Sequence, residues 1–147
     1  MTRIILLFTL LFFISCNSEP VKKKANYSPE QVSEKKALVK SVMDVHDEAM
    51  AWMDEIHTLK TSIQNRVNND STLSTENDVK KQPFINSINE LEEANEAMMD
   101  WMRNYREPKD TVQFSKAIDY LNNEKEEISL VRVQMKVAID NAKLLLQ

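Results

Sequence analysis

Residues 38–63, LVKSVMDVHDEAMAWMDEIHTLKTSI, decide the fold of this 147-residue chain. Apolar side chains recur in this stretch at steps of four and three residues, which is the spacing of one face of an α-helix. A second, mainly apolar row runs beside the first, so the face is wide enough to pack against two other helices. The first row is Leu38, Val42, Val45, Ala49, Trp52, Ile56, Leu59 and Ile63, and the second is Val39, Met43, His46, Met50, Met53 and His57.

The helical pattern starts near Ser28. A serine followed by Pro29, with Gln31 three residues after the serine, is a common helix start. The serine and glutamine side chains each accept a backbone N–H of the other residue in a capping box. We therefore predict a first helix over about residues 29–68.

Two further helices follow along the chain. Residues 68–78 are rich in asparagine, aspartate and hydroxyl side chains, as turns are. The helical spacing returns over about residues 76–106, where Pro83 predicts a bend or a start near Gln82. It returns again over about residues 111–146, where Asp110, with Gln113 three residues later, is the expected cap of the last helix. Three long helices with short connections predict an all-α, antiparallel, up-down-up three-helix bundle with coiled-coil-like helices.

Composition narrows the range of functions. The chain has no glycine, so the phosphate-binding loops and nucleophile elbows that depend on glycine are not expected. A net charge of −4 argues against nucleic acid, whose phosphates require a basic face. The one cysteine, Cys16, has no partner for a disulfide. These features favour a protein that is not an enzyme.

The first fifteen residues resemble a bacterial lipoprotein signal peptide. Arg3 precedes an apolar run over residues 4–14, and the small Ser15 precedes Cys16. About eleven apolar residues are too few to cross a ~30 Å hydrocarbon layer as a helix. The resemblance implies removal of residues 1–15, after which the thiol and the new amino group of Cys16 carry acyl chains.

Histidine and methionine are the residues most suited to bind a ligand. Folding the second helix back on the first pairs positions whose numbers sum to about 147, so His46 faces Met102 and Met50 faces Met98. Thioether sulfur and imidazole both suit copper(I), and side chains four apart share one helix face. A copper(I) site at these four residues is one hypothesis. In the alternative, the methionines fill gaps between helices and pack against tryptophan, and the chain has no cofactor.

Other polar residues have structural interpretations. Asp47 and Glu48 follow His46, but successive helical side chains point about 100° apart, so we expect these three side chains to diverge. Asn95 and Glu124 interrupt the apolar rows of the second and third helices. The pairing rule applied to that hairpin places them at a similar height, where polar side chains set the register between helices.

Two motifs carry a resemblance to a known family. MxxHDExM at residues 43–50 and MMDWM at residues 98–102 resemble motifs of a family of short, largely uncharacterised bacterial helical lipoproteins, and residues 120–121 and 124–125 match it too. Some members are labelled as viral A-type inclusion or coiled-coil proteins, a label that reflects heptad-like composition. The resemblance implies an envelope location and a helical fold, and it implies no activity.

The sequence therefore predicts a membrane-anchored, non-enzymatic envelope lipoprotein that acts as a binding or assembly module. Residues 16–27 would be the lipidated cysteine and a flexible linker, and residues 28–147 the bundle. Asn17 stands where aspartate often signals retention in the inner membrane, so we expect the outer membrane, facing the periplasm. The expected partners are the membrane, through the lipid, and another envelope protein. The alternative is a copper(I)-binding envelope protein.

Overall fold

The structure, a computed structural model, describes residues 27–70, 73 and 78–147. The expected signal peptide, Cys16 and the linker as far as residue 26 lie outside the described residues. No strand occurs in the described part of the chain, so the all-α prediction is confirmed. The helices are α1 (Pro29–Met50), α2 (Met53–Asn69), α3 (Asp78–Asn104) and α4 (Phe114–Leu146).

α1 begins at the predicted capping box. The Ser28 hydroxyl accepts the backbone N–H of Gln31 at 3.3 Å, and the Gln31 side-chain oxygen accepts the backbone N–H of Ser28 at 3.0 Å. Pro29 opens the helix, where its missing N–H costs no helical hydrogen bond. The predicted helix start is confirmed.

The predicted first helix is divided at Ala51 and Trp52 into α1 and α2. The Trp52 N–H bonds to the Ala49 carbonyl at 3.0 Å, a spacing of three residues, and regular bonding resumes from Ile56 to the Trp52 carbonyl. Trp52 has φ −92° and ψ −5°, so the backbone stays near the helical region. The apolar spacing therefore continues through the break, which is why the sequence predicts one helix. The tightened turn allows α1 to pack on α4 while α2 packs on both α3 and α4.

α4 runs parallel to α1 and α2. An ion pair joins Arg132 of α4 to Glu48 of α1 at 2.7 Å. Further along in the same direction, Lys143 pairs with Glu55 of α2 at 2.6 Å. These two pairs fix the direction of α4 as the third helix of the predicted up-down-up order.

α3 runs antiparallel to α2. Lys60 lies 3.4 Å from Glu92, and the Arg66 guanidinium lies over the Phe84 ring, 5.6 Å from its centroid. Both pairs have residue numbers that sum close to the predicted value of about 147. The predicted hairpin between the first two segments of the bundle is therefore confirmed.

The core follows the predicted apolar rows. In α1 and α2 the most buried positions recur every seven residues, as in coiled coils. They are Val42, Ala49, Ile56 and Ile63. The buried side chains of α3 are Phe84, Ser87, Leu91, Ala94, Met98 and Trp101, and those of α4 are Ala117, Leu121, Ile128, Met135, Ala138, Ile139 and Ala142.

α3 includes Pro83 and does not start at Gln82, which was one of the two predictions. It starts at Asp78, so Pro83 lies in the second turn of the helix. Val79, four residues earlier, is exposed, and water can hydrate the carbonyl that loses its helical bond. Near the N-terminus of a helix, proline therefore costs little.

Residues 105–113 cover the end of the bundle that α3 does not reach. Beneath them Lys35 of α1 is buried, with 7% of its surface exposed. Its ammonium group lies 2.8 Å from Asp110 Oδ1 and 3.7 Å from Glu107 Oε1. At this end of the bundle, a non-helical segment that is held by ion pairs thus takes the position that α3 has elsewhere.

α4 begins at Phe114, three residues after the predicted start near residue 111, and the predicted cap is wrong. Asp110, the expected cap, bonds to α1 instead, and Gln113 precedes the helix without a side-chain capping bond. The Tyr27 hydroxyl donates to the Val112 carbonyl at 2.6 Å, which holds the segment in a non-helical path. Tertiary contacts override the local capping signal here.

Candidate functional site

His46 faces the methionine-rich end of α3, as predicted. Its imidazole centroid lies 5.5 Å from the ring of Trp101. Trp101 precedes Met102 directly and follows Met98 by three residues, so His46 stands at the level of both methionines. The antiparallel register that was predicted from the turn is therefore confirmed for His46 and Trp101.

The four candidate copper ligands differ in exposure. Met98 is fully buried within the core, whereas Met50 and Met102 are partly buried and pack against its edge. The His46 side chain is 15% exposed. Packing alone accounts for the position of Met98.

His46 forms a hydrogen bond with its neighbour Asp47, so the prediction that these side chains diverge is wrong for this pair. Nδ1 of His46 lies 2.8 Å from Asp47 Oδ1, because both side chains bend toward each other across the helix surface. A carboxylate accepts, so Nδ1 of the ring donates this bond and Nε2 is the nitrogen left for a metal, which binds it only in the neutral ring. Glu48 pairs with Arg132 of α4 instead, and the three side chains share no common target.

An aromatic stack continues from His46 across the bundle. The ring centroids of Trp101 and Tyr105 lie 4.8 Å apart, and those of Tyr105 and Tyr120 lie 6.4 Å apart. The Trp101 indole N–H and the Tyr105 hydroxyl are buried without a hydrogen-bond partner among the described residues. Burial raises the pKa of Tyr105 to about 12 and also raises the pKa of Tyr120. The two tyrosines of the stack are therefore uncharged at neutral pH.

Replacing Tyr105 by Phe is expected to leave stability at neutral pH unchanged or slightly raised, because the lost hydroxyl has no partner. The folded-state pKa of about 12 exceeds the ordinary value of 10.0, so Tyr105 contributes its full stabilisation below pH 10 and loses it as pH rises toward 12. The variant should lack that part of the alkaline loss. Urea unfolding across this pH range measures it.

Tyr27→Phe is the matched control for this prediction. The Tyr27 hydroxyl donates a hydrogen bond to Val112, so its removal should cost about 0.5–1.5 kcal/mol at neutral pH. If Tyr105→Phe costs as much as Tyr27→Phe at neutral pH, the Tyr105 hydroxyl has a hydrogen-bond partner. If the variant loses stability with alkaline pH as steeply as the wild type, the assignment of the raised pKa to Tyr105 is wrong.

Asn95 and Glu124 do not lie at one height, so the predicted register between α3 and α4 is wrong. Asn95 lines a groove between α2 and α3. Glu124 lies one turn after Tyr120, whose ring stacks on that of Tyr105. Tyr105 is ten residues beyond Asn95, or about 15 Å along the helix direction. The rule assumed a short symmetrical turn, whereas the irregular path of residues 105–113 shifts α4 along α3.

The groove between α2 and α3 contains a cavity of about 510 Å³. Ile56 and Leu91 line it beneath a polar rim that includes His57, Lys60 and Glu92. Lys60 and Glu92 form an ion pair with each other. His57 is eleven residues beyond His46, roughly 16 Å along the helix axis, so the two imidazoles belong to separate places.

A second groove runs between α3 and α4, and we call it the α3–α4 groove. It contains two cavities of about 310 Å³ and 270 Å³, each lined by residues of both helices. Trp101 and Leu130 line the first cavity, and Val137 lines the second. The acidic residues that line the groove are Glu90, Glu93, Asp100 and Glu127.

An exposed apolar row lies on α4 beside this groove, and we call it the α4 row. It consists of Leu130, Val133, Val137 and Leu144, whose exposed fractions are 64%, 54%, 52% and 68%. Their spacing of three, four and seven residues places them on one face of the helix. The sequence pattern did not lead us to predict this row. The available signal was a second set of apolar positions in α4 that is offset from the core positions.

Comparison of the chain with protein-family models, with curated proteins and with solved structures gives no match. Within the described residues, no group of three or more His, Cys, Asp or Glu side chains is arranged to hold a metal ion. None of the helices formed by residues 27–70 and 78–147 combines the length and hydropathy needed to cross a bilayer.

Proposed function

We propose that this chain is a membrane-anchored, non-enzymatic lipoprotein of the cell envelope that acts as a binding or assembly module. It is held by acyl chains on Cys16, at the outer membrane and facing the periplasm. The α4 row is the observation that carries the binding role. Isolated exposed apolar side chains are common, but a row of four along one helix face is typical of an interaction surface.

The position of the α4 row suits a tethered binding module. Tyr27, the first described residue, packs against Phe114 at the start of α4, with ring centroids 5.3 Å apart. Leu130 and Leu144 lie 16 and 30 residues further along α4, which corresponds to about 24 and 45 Å. A partner bound at the α4 row would therefore sit away from the end at which the tether enters the bundle.

Replacing Cys16 by Ala tests the anchor. The wild-type chain, purified from membranes, should carry the mass of a diacylglyceryl group and an amide-linked acyl chain on a mature N-terminus at Cys16. The variant should lack this lipid mass, because the thiol that accepts the lipid is gone. Intact-mass spectrometry measures it, and Ser18→Ala is the matched control. Native wild-type protein without lipid mass would contradict the anchor.

Site-specific photo-crosslinking in envelope membranes tests the binding role. A photoreactive residue at Val133 should give a discrete crosslinked partner, because this side chain projects from the exposed row. The same probe at the exposed Lys36 of α1 is the control and should not give that product. An equal product from both positions, or none from Val133, would contradict a binding module that uses this face.

Copper(I) binding at His46, Met50, Met98 and Met102 is the second candidate function. The contact between His46 and Trp101 supports it, because it places the imidazole level with the two methionines of α3. Copper(I) titration in competition with a chelator should show one tight site, lost in His46→Ala and in Met102→Leu. His57→Ala and Met135→Leu are the matched controls. A site unaffected by His46→Ala, or no site, would contradict it.

A further inference from the structure

We propose that the α3–α4 groove binds one amphipathic helix of a partner protein, with an apolar row flanked by lysine or arginine. The inference rests on the proposed role as a binding module and specifies the partner. Three observations support it: the seven-residue repeat of the groove, its charge, and the length of the α4 row.

The groove repeats every seven residues. Leu130 lines its first cavity and Val137 its second, and on α3 Asp100 and Glu93 stand in the same relation. Seven residues of α-helix rise about 10.5 Å. A helix with apolar side chains seven residues apart would place one in each cavity at once. This is the packing by which the helices of a coiled coil fit together.

The charge of the groove is of one sign. Glu90, Glu93, Asp100 and Glu127 line its two cavities, and among the described residues no Lys, Arg or His lines either of them. Arg103 pairs with Asp100, but Glu93 and Glu127 form no ion pair with a described residue. Lysine or arginine beside the apolar row of an incoming helix would meet these carboxylates.

The same charges disfavour two other occupants. A second copy of this chain packed symmetrically, groove to groove, would bring an identical acidic surface toward the groove, and like charges oppose that approach. An anionic lipid surface is repelled for the same reason. A basic helix gains from the attraction in both the rate of encounter and the choice of partner.

The α4 row sets the length of the partner helix. From Leu130 to Leu144 it covers fourteen residue steps, or about 21 Å along the axis. A partner segment of about four turns would cover both cavities and the whole row. Bound there, it would pack beside α3 and α4 and turn the three-helix bundle into a four-helix bundle, with α1 and α2 counted as one helix.

Two synthetic peptides of about 18 residues test the proposal. Both carry leucine at heptad spacing, one with lysine and the other with glutamate at the flanking positions, and circular dichroism verifies that their helicity is equal. Fluorescence anisotropy measures their binding to the full chain in nanodiscs of zwitterionic lipid, with empty nanodiscs as the blank. We expect the lysine peptide to bind at least about tenfold more tightly, and the difference to shrink as salt is added.

Groove variants locate the binding. Glu93→Gln with Glu127→Gln should weaken binding of the lysine peptide by about threefold to tenfold, and Leu130→Ser with Val137→Ser by about tenfold or more. Glu34→Gln and Val32→Ser, at exposed positions of α1, are the matched controls and should change nothing.

Equal binding of the two peptides, or binding that the groove variants do not weaken, would overturn the inference. So would a dimer in solution that dissociates in the Leu130→Ser, Val137→Ser variant, because the occupant would then be a second copy. If crosslinking at Val133 yields a partner but the lysine peptide does not bind, the basic helix is wrong and the binding module stands. If both experiments are negative, both proposals fall.

Discussion

Replacing Ile128 by Ala is expected to lower the free energy of unfolding by about 2–5 kcal/mol. Ile128 is fully buried in the middle of α4 and belongs to the main core cluster. The substitution removes three carbons from a packed interior, so the protein loses their transfer free energy and keeps a cavity. Urea unfolding followed by circular dichroism should show a midpoint lower by about 1 M or more.

Leu130→Ala is the control for the Ile128 prediction. It removes the same number of carbons from the same helix two residues away, but Leu130 is 64% exposed. We expect a change within about 0.5 kcal/mol, as for surface positions in general. Similar losses in the two variants would mean that α4 does not present the face described above to the core.

Removing both carboxylates that face Lys35 is expected to cost about 1–3 kcal/mol. In the Glu107→Gln, Asp110→Asn variant the ammonium group remains buried, and no carboxylate of the described part of the chain then pairs with it. Both replacements keep the shape and hydrogen-bonding capacity of the side chains, so the change is one of charge. Urea unfolding at neutral pH measures the loss.

The Lys35→Met variant separates two contributions: the cost of leaving the Lys35 ammonium group buried without a partner, and the loss of its attraction to Glu107 and Asp110. Methionine keeps much of the apolar stem and leaves two carboxylates that are 59% and 76% exposed, which water can solvate. We expect this variant to lose less stability than the double carboxylate variant. The reverse order would show that the ion pair itself, and not the burial of the ammonium group, dominates.

The helical bundle follows from the apolar spacing because helix packing is itself periodic. Val42, Ala49, Ile56 and Ile63 are buried as their row predicts, and Ser28 with Gln31 marks the first helix start. Local spacing and capping chemistry decide these features, and both are visible in the sequence.

The end of the bundle beyond α3 was not predictable in the same way. Asp110 reads as a helix cap, but in the folded chain it serves Lys35, which is 75 residues earlier. A contact between segments so far apart leaves no periodic trace in the sequence. The register of α4 depends on this segment, so the predicted heights of Asn95 and Glu124 failed with it.

The same distinction applies to the candidate sites: the position of His46 was predictable from local geometry, and the α4 row was not. The level of His46 beside Trp101 came from folding one hairpin about its turn, which needs only helical geometry. The α4 row was missed because the stretch around Val133 and Val137 is apolar on more than one face. Periodicity alone does not say which face meets α3 and which meets solvent.

The bundle does not contain the same number of helices along its whole length. The part of α1 that precedes His46 packs mainly on α4, and the non-helical residues 105–113 cover it where α3 does not reach. Cooperative units of a protein open at a free energy set by the contacts that must break together. Fewer helices must separate at the Tyr27 end, so local opening is easier there. Brief fraying is therefore expected at that end, while the distant part of α4 keeps its shape.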